Sequence, residues 1–225
     1  MTLTNGIETP AAMALPLGNA DVSCTGGFFI SDLVQMPIEA IWSTIFTKRD
    51  EQRKKIRRLE KEGFSSSIAS SEAEFLSFCK LHDETVKRAG GTGHNLDLLT
   101  DIWTSMHPKN FNLALVKNGD EIVAGVGFFT YPEQRQVHTM YGAYSRALPN
   151  KYGVYLLANW RTLTWAQENQ YKEVNFGSTP DDVSHPSHKF KAQFGGRYVK
   201  KYQVKITTVG LLSHPIVRRL TRATT

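Results

Sequence analysis

A chain of 225 residues, 40% of them hydrophobic and 21% charged, has the length and balance of a globular protein built around one principal core. No stretch approaches the roughly 20 consecutive apolar residues of a membrane-spanning helix, since FFISDLVQM is broken by Asp32. The formal charge is +6, and every lysine and arginine lies from Lys48 onward.

In chain order, residues 1–27 are small, polar and rich in Pro and Gly without a sustained period, the pattern of a loose extension. The first lysine comes too late for a secretory leader, and Cys24 and Cys79 make no disulfide framework, so a reducing cytoplasm is expected. FFISDL reads as a short strand. Pro37 stands at a first helical turn, and Ile38, Ile41, Trp42 and Ile45 keep the spacing of one buried helix face. The block KRDEQRKKIRRLEKE at 48–62 continues as a helix that stops at Gly63. Its charge suits a polyanion such as tRNA, nucleotide phosphate or anionic lipid, and equally a solvated face in which Asp50, Glu51, Glu60 and Glu62 blunt the field.

SSIAS is a short strand. Ser71 followed by Glu74 has capping-box spacing, and Phe75, Phe78, Cys79, His82 and Val86 line one face of a helix ended by Gly90-Gly91. On that face His82 reads as a core-edge histidine and Cys79 as a buried free thiol. Leu98, Leu99, Ile102, Trp103 and Met106 mark another amphipathic helix. FNLALVK and EIVAGVGFFTY flank Asn118-Gly119, the signal of a type I′ hairpin, and PEQR turns the chain into QVHTMYGAYS to complete a three-strand meander. After Leu148-Pro149-Asn150, Tyr155, Leu156, Trp160, Leu163 and Ala166 keep helical spacing. KEVNFGS is a strand, a polar loop follows, and RYVKKYQVKIT is the last strand.

A right-handed crossover through that helix makes QVHTMYGAYS and KEVNFGS parallel neighbours. Their C-terminal ends then open toward one side, where an α/β sheet places its ligand. The expected fold class is α/β of the α+β kind, with a central mixed, mostly antiparallel sheet flanked by helices.

The seven histidines are scattered, and HExxH, CxxC, G-x-S-x-G and GxxxxGK[ST] are all absent. GTGH at 91–94 is explained as a helix-ending loop. Chemistry is therefore expected at the strand ends. Tyr141, Gly142, Tyr144 and Arg146 close one strand, and Asn175, Gly177 and Ser178 close the other. Asp181, Asp182, His185 and His188 follow in the loop. Glycines at such places let backbone N–H groups approach a ligand, the helix start near Asn150 suits an anion, and splayed strands would free amides for an oxyanion. Each residue also has a structural reading: Tyr141 and Tyr144 in sheet packing, Asp181 and Asp182 in a turn after Pro180, His185 solvated beside Pro186.

The order of elements resembles the GNAT acyltransferase fold, and the motifs resemble its Fem branch, the FemABX-type aminoacyltransferases. RKKIRRLEKEGF (53–64), DEIVAGVGFF (120–129), YGAYSRALPNKYGVYLL (141–157) and NFGSTPDD with FKAQFGG carry the resemblance, which covers roughly residues 28–206. Full Fem transferases hold two GNAT-like modules, and this chain matches the second with its joining strand and helix. The resemblance divides the chain into a flexible extension (1–27), a linking strand and basic helix (28–62), a GNAT-like acyltransferase domain (63–206) and a basic tail (207–225).

The resemblance implies transfer of an acyl or aminoacyl group to an amine without metal, bound cofactor or covalent enzyme intermediate. The lysine of the Fem Phe-Lys pair lies near the transferring group, and here the pair is Phe190-Lys191. Lys191 is expected to offer positive charge to an ester oxygen or phosphate, with Phe190 beneath it and Phe194-Gly195 turning the chain into the last strand. Asp181, Asp182 and His185 are the proton acceptors on offer. Tyr141, Tyr144, Arg146, Asn150, Asn175, Gly177, Ser178 and Phe190 would line the substrate.

An aminoacyl-tRNA donor would use Arg53, Lys54, Arg57 and Arg58 as phosphate contacts. An acyl-CoA donor would seat its pyrophosphate at the helix start from Pro149 to Gly153, where the Gln/Arg-x-x-Gly-x-Gly/Ala signature is not readable. The acceptor amine would belong to a small molecule, a peptide or a peptidoglycan precursor, and a homodimer would replace the missing module. Two other readings stay open: a non-catalytic binding module of the same fold, and a basic RNA-binding protein.

Overall fold

A computed structural model describes residues 2–5, 20–45, 51–149 and 153–206. Parts of the expected N-terminal extension, the basic tail at 207–225 and Asn150 lie outside the described residues. The chain divides into a larger unit, Phe29–Gly177 with Lys189–Arg197, and a smaller unit, Met1–Phe28, Ser178–His188 and Tyr198–Thr225.

The elements run β1 (Thr2–Asn5), β2 (Ala20–Asp32), α1 (Ile38–Ala40), α2 (Glu51–Lys61), β3 (Phe64–Ile68), α3 (Glu72–Arg88), α4 (Leu96–Met106), β4 (Phe111–Asn118), β5 (Glu121–Tyr131), β6 (Gln136–Tyr144), α5 (Val154–Glu168), β7 (Glu173–Thr179), α6 (Pro186–Ala192) and β8 (Arg197–Ile206). In the larger unit the strand order is β2-β7-β6-β5-β4-β3, and in the smaller it is β1-β8-β2-β7. All described pairings are antiparallel except β6 with β7. The mixed, mostly antiparallel sheet and the parallel crossover pair are thus as the sequence leads one to expect. Among the described residues no helix is long and apolar enough to cross a membrane.

Helix α3 starts as its cap predicts. Ser71 Oγ accepts from the Glu74 N–H at 3.3 Å, and the Glu74 carboxylate accepts from the N–H of Ser70 at 2.8 Å, one residue earlier than in a strict capping box. Lys117 of β4 also pairs with Glu74, and its hydrogen bond holds that carboxyl below its ordinary range. Phe75, Phe78 and Cys79 of α3 join Trp103 of α4 and Phe111, Leu113 and Leu115 of β4 in one buried cluster. On α4, Leu99 and Trp103 are buried while Leu98 faces solvent. Across the sheet, α5 buries Leu156, Leu163 and Ala166, and its Trp165 meets Phe128 of β5 with ring centroids 4.9 Å apart.

Four local expectations change. The strand expected over FFISDL begins earlier and runs 13 residues from Ala20. The helix from Pro37 is one turn that passes into a π-turn over Ile41–Ile45, though Ile38 and Ile41 are buried as their spacing implies. The β4–β5 hairpin forms, but Asn118 pairs with Glu121 and the two loop residues are Gly119 and Asp120. Gly119 alone takes a positive φ, +60°, the Gly-first pattern of a type II′ turn in place of type I′. Finally, the loop and corner read into HKFKAQFGG contain α6, which carries Phe190 and Lys191. Pro186 suits a first helical position, and the His185 ring accepts the Ser187 N–H at 3.2 Å. Seven residues are too few to show a helical period.

Candidate active site

The larger unit opens a fork between β6 and β7. The two strands pair only at Gln136 with Glu173, Val137 with Val174 and His138 with Asn175. Two features then part them. In β6 the register against β5 slips between Gly127 and Phe128, which pair with Tyr141 and Thr139 and leave Met140 as a bulge. In β7 the Asn175 side chain accepts the Gly177 N–H at 2.8 Å, and Gly177 sits at φ +75°. That N–H is therefore spent on bending its own strand, and the expectation that Gly177 offers its amide to a ligand is corrected. A Cβ on Gly177 would stand 3.1 Å from the Thr139 carbonyl oxygen. Gly177→Ala is expected to destabilise the fold by about 1–2 kcal/mol through the left-handed φ alone, and Gly177→Asn by less, as read from urea midpoints.

Beyond the fork, strand alternation decides what β6 presents. The Ser145 N–H donates to Val123 of β5 at 2.8 Å, so Ser145, Ala143 and Tyr141 exchange bonds with β5. The N–H and C=O groups of Gly142 and Tyr144 consequently point to the opposite edge, toward the fork. Both carbonyls meet donors: Gly142 O accepts from His82 Nδ1 at 3.1 Å, and Tyr144 O from Arg88 Nη2 at 3.4 Å. The amides of Gly142 and Tyr144 lie along the same edge.

Side chains alternate as well. Tyr141 and Tyr144 are three residues apart and serve different faces. Tyr141 packs toward α3 and α4, edge-on to His82 at 5.6 Å and His94 at 5.3 Å, and burial raises its phenol above the ordinary range. Tyr144 lies 5.7 Å from Tyr155 of α5 and beneath the Arg88 guanidinium. Tyr155 crosses β6 at Gly142, where a Cβ would come within 3.0 Å of the Tyr155 ring, and it stacks on Phe190 at 5.2 Å. Phe190 in turn meets Phe194 edge-on at 5.5 Å, so its work is to seat α6 on α5.

Lys191 follows from that seating. Its Nζ lies 3.7 Å from the place where a Gly177 Cβ would stand, at the base of the fork. Burial lowers its pKa from 10.5 to about 8. Lys189, on the outer side of α6, is exposed.

The remaining candidates sit elsewhere. Arg146 is exposed just past β6, and Ser178 is exposed at the start of the smaller unit's share of β7. In the smaller unit, Asp181 is held below the usual carboxylate range by the Tyr198 hydroxyl first, then by Cys24 at 3.5 Å and Lys200 at 3.4 Å. Asp182 is held low by the Ser184 hydroxyl and N–H, at 2.9 and 2.8 Å, as a turn residue would be. His185 bonds to Ser187 and is exposed. Each of these three side chains has a local structural job.

On α2, Ile56 and Leu59 are buried, Arg57 lies 5.7 Å over the Trp42 ring, and Arg58 pairs with Glu62 at 3.6 Å. Part of the basic face is therefore engaged within the protein. Two clefts, one lined by Met106 and Phe129 and one by Gln136 and Glu173, lie at the other end of β6 from the fork. Among the described residues no group of three or more His, Cys, Asp or Glu is placed to hold a metal ion.

An antiparallel meander, a crossover helix and a parallel strand pair that parts after three residue pairs define an acyltransferase fold of the α/β class. The chain belongs to the GNAT acetyltransferase family: residues 47–191 match the Acetyltransferase (GNAT) domain. Among solved structures it is similar to FemX, with 14% identity and a TM-score of 0.69 over 94% of this chain and 73% of that one. It is also similar to L-PGS from Bacillus licheniformis, with 19% identity and a TM-score of 0.63 over 83% of this chain. The chain spans 62% of the length of that L-PGS structure. Both likenesses are of fold. No curated protein matches the chain.

Proposed function

We propose that this protein is an N-acyltransferase or aminoacyltransferase that moves an acyl or aminoacyl group from a thioester or a tRNA ester to an amine. The observation that carries the reading is the fork between β6 and β7 with the Lys191 ammonium at its base. In such a transfer the amine attacks the carbonyl carbon, negative charge gathers on the carbonyl oxygen, and the alcohol or thiol leaves. One edge amide, that of Gly142 or that of Tyr144, suits the oxyanion, since the two stand about 7 Å apart along the strand. Lys191, cationic below about pH 8, suits the departing oxygen or sulfur or a donor phosphate.

The Fem-like fold favours the tRNA ester as donor, with the basic helix α2 on hand for phosphate contact. Acyl-CoA is the rival donor. A small amine or a peptidoglycan precursor is the acceptor class, in the cytoplasm where both donors are made, and a homodimer is the arrangement by which a second copy would complete the groove.

The test is a donor screen with the purified chain, using acetyl-CoA in one arm and bulk charged tRNA in the other against a panel of amines, read by acceptor mass. Transfer from charged tRNA that falls steeply between 50 and 200 mM salt supports the ester donor. Transfer from acetyl-CoA alone assigns the thioester. A folded chain that transfers from neither is the binding module.

A further inference from the structure

We infer that His82 is the proton acceptor for the incoming amine, with His94 as the facing wall of the amine's subsite. The inference rests on the transferase reading above and names the base that the sequence sought in Asp181 and His185.

Three observations converge on His82. It sits on α3 only 5% exposed, and its Nδ1 lies 3.1 Å from the Gly142 carbonyl oxygen. A carbonyl only accepts, so Nδ1 carries the hydrogen, and in the neutral ring the lone pair is on Nε2. That Nε2 is buried and has no hydrogen-bond partner among the described residues. A buried acceptor without a donor is a standing cost in a folded protein, and an entering N–H group removes it.

The surroundings keep the ring neutral and fixed. Phe78 stacks on one side at 5.8 Å, His94 stacks at 5.2 Å with its plane 4° from parallel, and Tyr141 closes the edge. Burial lowers the His82 pKa below 6.5, the Gly142 hydrogen bond and Asp83 oppose that, and His94 adds to it. His94 belongs to the loop between α3 and α4 and is itself exposed, so the ring that covers His82 borders solvent. A base oriented by a second group through its other nitrogen is the arrangement that nucleophile activation requires. The orienting group here is a carbonyl on the edge of β6 that faces the fork. Thr139 at the fork's base is three residues from Gly142, about 10 Å along the strand.

The step balances without a further reagent. The neutral amine adds to the donor carbonyl, forming the N–C bond and leaving an ammonium beside an oxyanion. His82 Nε2 takes one ammonium proton. The oxyanion collapses, the C–O or C–S bond breaks with its electron pair on the leaving group, and the imidazolium proton passes through solvent to the alkoxide or thiolate. The products are an amide and an alcohol or thiol.

His82→Asn tests this, because the Asn side-chain amide still donates to Gly142 from the Nδ1 position while the lone pair is gone. The readout is transfer by the full chain to the best amine of the donor screen, as log rate against pH, with thermal melting to show that the variant is folded. The expected result is a loss of about 10²- to 10³-fold at pH 7, shrinking toward high pH as hydroxide takes the adduct's proton in place of His82, and disappearance of the wild-type acid limb. His94→Ala should keep that limb and raise KM for the amine more than it lowers kcat. A second measurement is independent of turnover: the 15N imidazole shifts of His82 should report the Nδ1–H form through neutral pH. Wild-type rate and acid limb in folded His82→Asn, or an Nε2–H ring, overturns the base assignment while transfer stands. No transfer by the wild type from either donor overturns the transferase reading and the base with it. Should His82→Asn fail to fold, His82→Gln takes its place under the same criteria.

Discussion

Replacing Lys191 with Met is expected to cut transfer activity by about 10²–10³-fold and at the same time make the fold more stable. The ammonium is held at the fork with its pKa lowered from 10.5 to about 8 by burial. At 1.36 kcal/mol per unit, a depression of that size is a cost to the folded state of about 3 kcal/mol. The sign follows from proton counts. Between about pH 8 and pH 10.5 the unfolded chain binds the Lys191 proton and the folded chain does not, so wild-type stability rises with pH across that window. The penalty is fully present below pH 8 and gone above 10.5. The advantage of Lys191→Met over wild type should therefore be largest at neutral pH, on the order of 10 °C in Tm, and shrink as the buffer is made alkaline.

Activity should move the other way. A fixed cation aimed at developing negative charge in a water-poor site is worth roughly 10²–10³ in rate. Wild-type transfer should decline as pH rises through about 8, and the residual rate of Lys191→Met should lack that decline. Thermal melts and rates at pH 7 and pH 9 decide the matter. Transfer at the wild-type rate by Lys191→Met removes Lys191 from the site, and an unchanged Tm removes the cost assigned to its burial. A residue that is costly to the fold and necessary to the chemistry is what a functional site leads one to expect.

What the sequence disclosed depended on the range of the interaction involved. The α3 face was readable because Phe75, Phe78 and Cys79 recur at helical spacing, and the parallel pairing of β6 with β7 because a crossover helix of one hand permits little else. The parting of those strands has a local signal too, Asn175 two residues before Gly177, but its meaning depends on the side chain turning back to its own backbone. The assignment of Tyr141 and Tyr144 to opposite faces was available from strand parity alone. The role of His82 was not: its partner is 60 residues away, and only that contact tells which nitrogen holds the proton. Helix α6 was hidden by its length, and the occupied state of Asp181 by partners at Tyr198 and Lys200 that no local pattern announces.

Phe194→Ala should produce the largest loss of stability of any change near the site. The ring is fully buried, stacks on Phe176 of β7 at 4.7 Å and meets Phe190 of α6 edge-on at 5.5 Å. Its backbone is held as well: the carbonyl accepts from Ser31 Oγ at 2.7 Å, and the N–H donates to the Lys191 carbonyl at 3.1 Å. Truncating a phenylalanine so enclosed costs about 3–5 kcal/mol, the spread reflecting how far neighbours collapse into the cavity. Collapse is restricted here because Phe176 belongs to the sheet and Phe190 is pinned against Tyr155. Phe190 then loses one of its two aromatic supports, and the turn that presents Lys191 to the fork loosens. The variant should unfold at lower urea, and in conditions where it is fully folded its transfer rate should still fall at least tenfold. A destabilisation below about 1 kcal/mol would mean the cavity heals. A normal rate in the folded variant would mean that Lys191 is positioned by α6 itself, through the Tyr155–Phe190 stack, without the support of Phe194.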